Sequence, residues 1–183
     1  MADGESGAFA LKLTLLDMQP VIWRRVVVPG SSTLAQLHHV LQAVVGWEDR
    51  HLYEFEIADR RFGPIDEDAY DELEDATDVE LGDVITPDDH FFYEYDFGDG
   101  WRLEIEVESS TSEPGAAQAA CTDGERAGPP EDCGGPDGYA ELIETLADPG
   151  RPEYEELRSW VGEGFNPAAF SLDKVNAALD RVR

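Results

Sequence analysis

The sequence predicts an α+β fold: an antiparallel sheet of about five strands, one early helix packed on its face, and a helical C-terminal third. Three observations point there. Apolar residues alternate with period two through much of residues 9–109, one amphipathic stretch with matched end signals interrupts them early, and helix-spaced apolar positions fill residues 139–183. The chain reads as one domain over 1–183. It has a sheet-plus-helix body at 9–109, a long Gly/Pro-rich connection at 110–138 and C-terminal helices at 139–183.

Phe9, Leu11, Leu13 and Leu15 alternate with Ala10, Lys12 and Thr14, the pattern of a half-buried strand. MQP breaks it, and VIWRRVVVP resumes as a second strand, close enough in sequence to pair antiparallel with the first. Ser31, Ser32 and Thr33 offer hydroxyl caps to a helix. Leu34, Leu37, Leu41, Val44 and Val45 repeat at helical spacing, and Gly46 stops them. HLYEFEI follows as a strand with His51, Tyr53, Phe55 and Ile57 on one side. Between Arg61 and Arg102 there is no Lys or Arg, and IDEDAYDELEDATDVELGD reads as a solvated acidic loop with a helical turn. Leu81, Val84 and Ile85 are expected to pack back onto the body.

YEYDFGDGWRLEIEVE (93–108) reads as a hairpin. A three-residue loop, Gly98-Asp99-Gly100, would set Phe97 opposite Trp101, Tyr95 opposite Leu103, Tyr93 opposite Ile105 and Phe91 opposite Val107. One face is then wholly apolar, and Asp96 lies across from Arg102 as an ion pair. Asp99, at the tip, suits a turn through its own backbone. After the connection come GYAELIETLAD, then PEYEELRSWVG with Pro152 in its first turn, then SLDKVNAALDRV capped by Ser171.

The net charge is −28, from 41 Asp and Glu against 13 Lys and Arg. Such a surface repels phosphate backbones, so nucleic acid is disfavoured as a partner, and it suits a salt-rich cytoplasm or a basic partner. MADGESGAFA lacks a basic stretch leading into an apolar run, and no segment has the roughly 20 apolar residues of a membrane span. The expectation is a soluble cytoplasmic protein without a membrane partner. Cys121 and Cys133 make no disulfide scaffold and lack the short paired spacing of a zinc site.

QPVIWRRVVVP with the helix ending in GW, then HLYEF, YDFGDGW, PPEDCGGPDGY and WVGEGFNPAAFSLDKVNAAL together resemble the plasmid open-reading-frame-3-like family, over about residues 9–182. Some members of that family carry the label of an insertion-element passenger protein with a resolvase-style name. The resemblance implies a compact α+β fold and an association with mobile elements, and no activity. The chain departs from the family pattern at Gly128, where members often carry a cysteine.

DFG without a Gly-rich phosphate loop, a strand lysine and a catalytic loop is no kinase signature, and neither a G-x-S-x-G elbow nor a P-loop occurs. Two functional readings remain open. In the first, PPEDCGGPDGY packs on the hairpin and lines a groove, built from Trp47, His51, Asp99, Trp101, Glu131 and Asp132, for a protein, a peptide or a small ligand. That makes the protein a non-catalytic binding protein that needs no cofactor. In the second, Asp99, Glu131 and His51 hold a divalent cation, and a metal-activated water cuts a phosphodiester. A DNA-binding accessory role rests only on the mobile-element association, with Arg24–Arg25 and Arg60–Arg61 the only local basic pairs.

Overall fold

The two opening strands form as their alternation requires. β1 (Ala8–Leu15) buries Phe9, Leu11, Leu13 and Leu15 and pairs antiparallel with β2 (Trp23–Pro29), whose Val26 and Val28 face the same interior. A computed structural model describes residues 7–65, 73–111 and 118–182. α1 (Leu34–Val45) starts at a reciprocal capping box: Gln36 N–H donates to Thr33 Oγ1, and Thr33 N–H donates to Gln36 Oε1. It ends at Gly46, whose φ of 97° is the left-handed conformation that glycine takes without a Cβ penalty. Its buried stripe of Leu34, Leu37, Leu41 and Val44 covers the sheet.

The sheet is wider than the five strands expected. β3 (Tyr53–Ile57), β4 (Arg60–Gly63), β5 (Leu73–Asp75), β6 (His90–Tyr95), β7 (Trp101–Thr111) and β8 (Ala120–Glu125) join β1 and β2 in the order β5-β4-β3-β6-β7-β1-β2-β8. All pairs are antiparallel except β4–β5. The additional strands are the short ones. β4 is four residues and β5 three, and β8 buries only Cys121, so none carries a clean period-two signal. β5 lies within the stretch read as an acidic loop, while residues 66–72 of that stretch fall outside the described ones. α2 (Leu81–Val84) supplies the helical turn, with Leu81 and Ile85 buried. The stretch 110–138, read as a connection, holds the end of β7 and all of β8, and α3 begins inside it.

The hairpin keeps its predicted faces with a different register. Tyr95 pairs with Trp101, Tyr93 with Leu103 and Phe91 with Ile105, so the loop is the five residues Asp96–Gly100. Sliding by two residues preserves the sidedness of a strand, and Phe91, Tyr93, Tyr95, Trp101, Leu103, Ile105 and Val107 are all buried together. The loop assignment fails at its edges. Phe97 is exposed rather than packed on Trp101. Asp96 makes no pair with Arg102, which stands opposite Glu94 and reaches Glu56 at 3.2 Å.

The C-terminal third is helix interleaved with turn. α3 (Gly135–Ala147) buries Tyr139 and Leu142, α4 (Tyr154–Val161) buries nothing fully, and α5 (Leu172–Leu179) is capped by Ser171 Oγ, which accepts from Lys174 N–H. Pro152 precedes α4 rather than opening it, since Glu153 is the cap position. The stretch between α4 and α5 packs Phe165 and Phe170 on the core.

Arg24 ties the end of α1 and the turn after β8 to the sheet. It is buried, and it donates to the carbonyls of Trp23, Val44, Glu125 and Arg126 at 2.7–2.9 Å. Next to that brace, Gly128 lies against the Val45 carbonyl so closely that any Cβ would collide with it. Gly128→Ala is therefore expected to lower the unfolding free energy by about 1–3 kcal/mol, the usual cost of overpacking against fixed backbone, measurable by urea denaturation.

Candidate functional site

Three segments meet at the loop end of the hairpin: the α1–β3 connection, the hairpin loop, and the turn before α3. The hairpin loop begins with Asp96 in the left-handed region (φ 55°), which aspartate tolerates because its side chain satisfies local amides. Asp96 Oδ1 accepts from Gly98 N–H at 3.1 Å and Asp99 N–H at 3.3 Å. Its backbone N–H is tied to the Leu52 carbonyl. With Oδ1 committed, Oδ2 is left 3.4 Å from His51 Nε2.

Asp99 has a structural role. Its Oδ2 accepts from Gly134 N–H at 3.1 Å, and its carbonyl packs so tightly on Gly135 that a Cβ there would clash. Gly135 also has a φ of 70°, so glycine is required twice over. This contact docks the turn before α3 onto the hairpin tip. The turn in turn presents Glu131 and Asp132.

Glu131 is the central member. Its Oε1 accepts from Tyr95 Oη–H at 2.8 Å and from Glu48 N–H at 2.7 Å, tying all three segments together. Burial first, and then the Glu131 carboxylate, push the Tyr95 hydroxyl well above its ordinary pKa, so it stays a donor. The Glu131 side chain is only 6% exposed. Its second oxygen, Oε2, is buried with no hydrogen-bond partner among the described residues and lies 3.9 Å from His51 Nε2. Trp47 Nε1, Trp101 Nε1 and Tyr139 Oη share that lack of a partner, but only Glu131 Oε2 belongs to a carboxylate. Asp132 Oδ1 completes the set at 2.9 Å from His51 Nε2.

The site therefore brings together His51, Glu131 and Asp132 from the expected set and adds Asp96, while Asp99 stands behind it as a brace. Trp47 and Trp101 are buried, with Trp47 stacked on Tyr95 at 4.8 Å and 6.0 Å from Trp101. They form a dry floor rather than the wall of an open groove. Asp96 escaped the sequence reading because the shorter loop placed it in a strand. Its signal was the aspartate itself, at a loop start where a positive φ is tolerated.

Cys133 is adjacent in sequence but contributes no thiolate. Burial, reinforced by Asp99, pushes its thiol up to about 12.

A second His/Asp group, His38 with His39 and Asp49, is a closed network. Gln42 Nε2–H donates to Tyr93 Oη, leaving the Tyr93 proton for His38 Nδ1 at 2.7 Å, while His38 Nε2–H donates to Asp49 Oδ1 at 2.8 Å. Both ring nitrogens are used by a neutral imidazole, which also stacks on Tyr53 at 3.7 Å. Burial holds the His38 pKa down at about 4 against 6.5.

A family model for plasmid pRiA4b ORF-3-like proteins matches residues 7–174. An uncharacterized protein, y4hQ of Sinorhizobium fredii (strain NBRC 101917 / NGR234), is 41% identical over 173 residues, covering 93% of this chain and 89% of that one. A crystal structure of a protein of unknown function, MM3350 from Methanosarcina mazei Go1, superposes with a TM-score of 0.82 at 36% identity, covering 91% of this chain and 96% of that one. Among the described residues, no helix is long and apolar enough to cross a membrane.

The His38 network carries a pH prediction. As pH falls below 6.5 the unfolded chain protonates this histidine, while the folded chain resists until about pH 4, so stability is lost on acidification through that window. The full loss is on the order of 3 kcal/mol. Urea denaturation of wild type and His38→Gln across the window checks this: carboxylate effects common to both cancel, and the variant should show the shallower slope.

Proposed function

The chain belongs to the plasmid pRiA4b ORF-3-like protein family, and within that family we propose that it is a binding protein whose His51, Asp96, Glu131 and Asp132 hold one divalent cation. The observation that carries this reading is Glu131 Oε2, a carboxylate oxygen buried without a hydrogen bond and aimed at His51. A carboxylate taken out of water costs several kcal/mol unless a positive partner answers it. His51 Nε2 stands 2.9, 3.4 and 3.9 Å from oxygens of Asp132, Asp96 and Glu131. Ligands held at about 2.1 Å around one ion lie about 3–3.5 Å apart, so small side-chain adjustments suffice.

One imidazole nitrogen among carboxylates favours Mn²⁺, Fe²⁺ or Zn²⁺ over Ca²⁺, which prefers oxygen alone. Asp132 and His51 are partly open to solvent, so the ion would keep water in part of its coordination shell. That is the precondition for the hydrolytic reading, in which a cation-bound water attacks a phosphodiester. The binding role stands without it.

Titration calorimetry on chelator-treated protein tests the proposal. One equivalent of Mn²⁺ or Zn²⁺ should bind more tightly than Mg²⁺ or Ca²⁺, and His51→Ala or Asp132→Asn should weaken binding by about tenfold or more. Equal binding by wild type and both variants would overturn it.

A further inference from the structure

On the other side of the 126–131 turn runs a groove of about 660 Å³, bounded by the C-terminal end of α1, that turn, α4, α5 and the stretch between them. Such a volume suits a small organic ligand. Its walls are Val44, Val45, Trp160, Val161, Phe165 and Phe170. What distinguishes it is charge. With 41 acids to 13 bases, a cationic side chain in this protein has carboxylates in excess, and Lys12, Arg25, Arg50, Arg60, Arg61, Arg102 and Arg151 each find one. Among the described residues, Arg24, Arg126, Arg158, Lys174 and Arg181 form no ion pair. Of these, Arg24, Arg126 and Lys174 line this groove.

Arg24 is the built part of the site. It is 3% exposed, its donors are spent on backbone carbonyls, and among the described residues no carboxylate pairs with it. Phe170 covers its guanidinium at 4.8 Å. One of its bonds goes to the Val44 carbonyl, which quiets the negative C-terminal end of α1 where it meets the groove. Of the two acids on the wall, Glu48 is paired with Arg50, and the free oxygen of Glu131, Oε2, lies 3.9 Å from His51 Nε2. The result is an apolar trough with a local positive potential inside a strongly negative protein, where low-dielectric walls strengthen the field.

We infer that this groove binds a small organic anion, with an apolar body on Phe165, Phe170 and Trp160 and a carboxylate or phosphate between Arg126 and Lys174. The groove shares Glu131 with the proposed cation site, but the anion contacts are Arg126 and Lys174, which take no part in cation binding, and the probe test below reads them alone. The overall negative charge would slow the approach of such a ligand, so selectivity comes from the groove itself and weakens with added salt.

The test uses two fluorescent probes of similar apolar bulk on the full chain: 1-anilinonaphthalene-8-sulfonate, an anion, and the neutral N-phenyl-1-naphthylamine. The anion should bind with one-to-one stoichiometry, more tightly than the neutral probe and less tightly at high salt. Arg126→Gln with Lys174→Gln should weaken the anion by about five- to thirtyfold while leaving the neutral probe unchanged. Both side chains lie outside the buried core, and thermal unfolding confirms that the variant folds. Equal affinity for the two probes in the wild type would overturn the inference, as would unchanged anion binding by the folded double variant.

Discussion

One buried carboxylate organises the end of this molecule. Glu131 Oε1 takes hydrogen bonds from the hairpin, through Tyr95, and from the α1–β3 connection, through Glu48 N–H, while its own chain segment is pinned to the hairpin tip by Asp99 and Gly134. Three loops that share no local sequence are thereby held in one arrangement. The same constraint leaves Glu131 Oε2 buried without a hydrogen bond among the described residues and His51 surrounded by oxygens. A well-satisfied anchor and an unsatisfied oxygen on one side chain make the site both ordered and in need of a positive charge.

The sheet makes this geometry affordable. Tyr93, Tyr95, Trp47, Trp101 and Phe55 pack as a contiguous aromatic layer under α1, so the loops stand on a rigid floor. His38, Gln42 and Asp49 extend the order into the α1–β3 connection, since Asp49 N–H is held by Gln42 Oε1 while its carboxylate holds His38. Arg24 performs the corresponding service at the start of the connection, binding the Val44 carbonyl of α1 to the turn that leads to Glu131. The proposed cation site and the proposed anion groove therefore share the 126–131 turn but draw on opposite charges. Most cationic side chains are neutralised on the surface by bidentate or single contacts, as in Arg25–Glu108 and Arg60–Glu74, and three of the five left over among the described residues, Arg24, Arg126 and Lys174, line the groove.

Local rules recovered what local chemistry decides. α1 was legible from Thr33 to Gly46 because cap, apolar stripe and stop agree. The apolar face of the hairpin was legible because strand sidedness survives any even shift in register. That same degeneracy hid the loop length, and with it the place of Asp96: loops of three and five residues give the same faces from Phe91 to Tyr95 and from Trp101 to Val107, and differ only in the pairing and in the loop residues Asp96 and Phe97. β4, β5 and β8 are edge or near-edge strands held by backbone pairing, with too few buried side chains to print a pattern. His51, Glu131 and Asp132 were legible as polar residues at element ends. Their convergence was not, because it depends on Asp99 reaching Gly134 across 35 residues of sequence.

Crystals grown with Mn²⁺ and measured for anomalous scattering address the central claim most directly. One manganese peak bonded to His51 Nε2 and Glu131 Oε2, with Asp96 and Asp132 completing the set, is the expected result. A site without such a peak, in which Glu131 Oε2 instead accepts a hydrogen bond from ordered water or from His51, would contradict it.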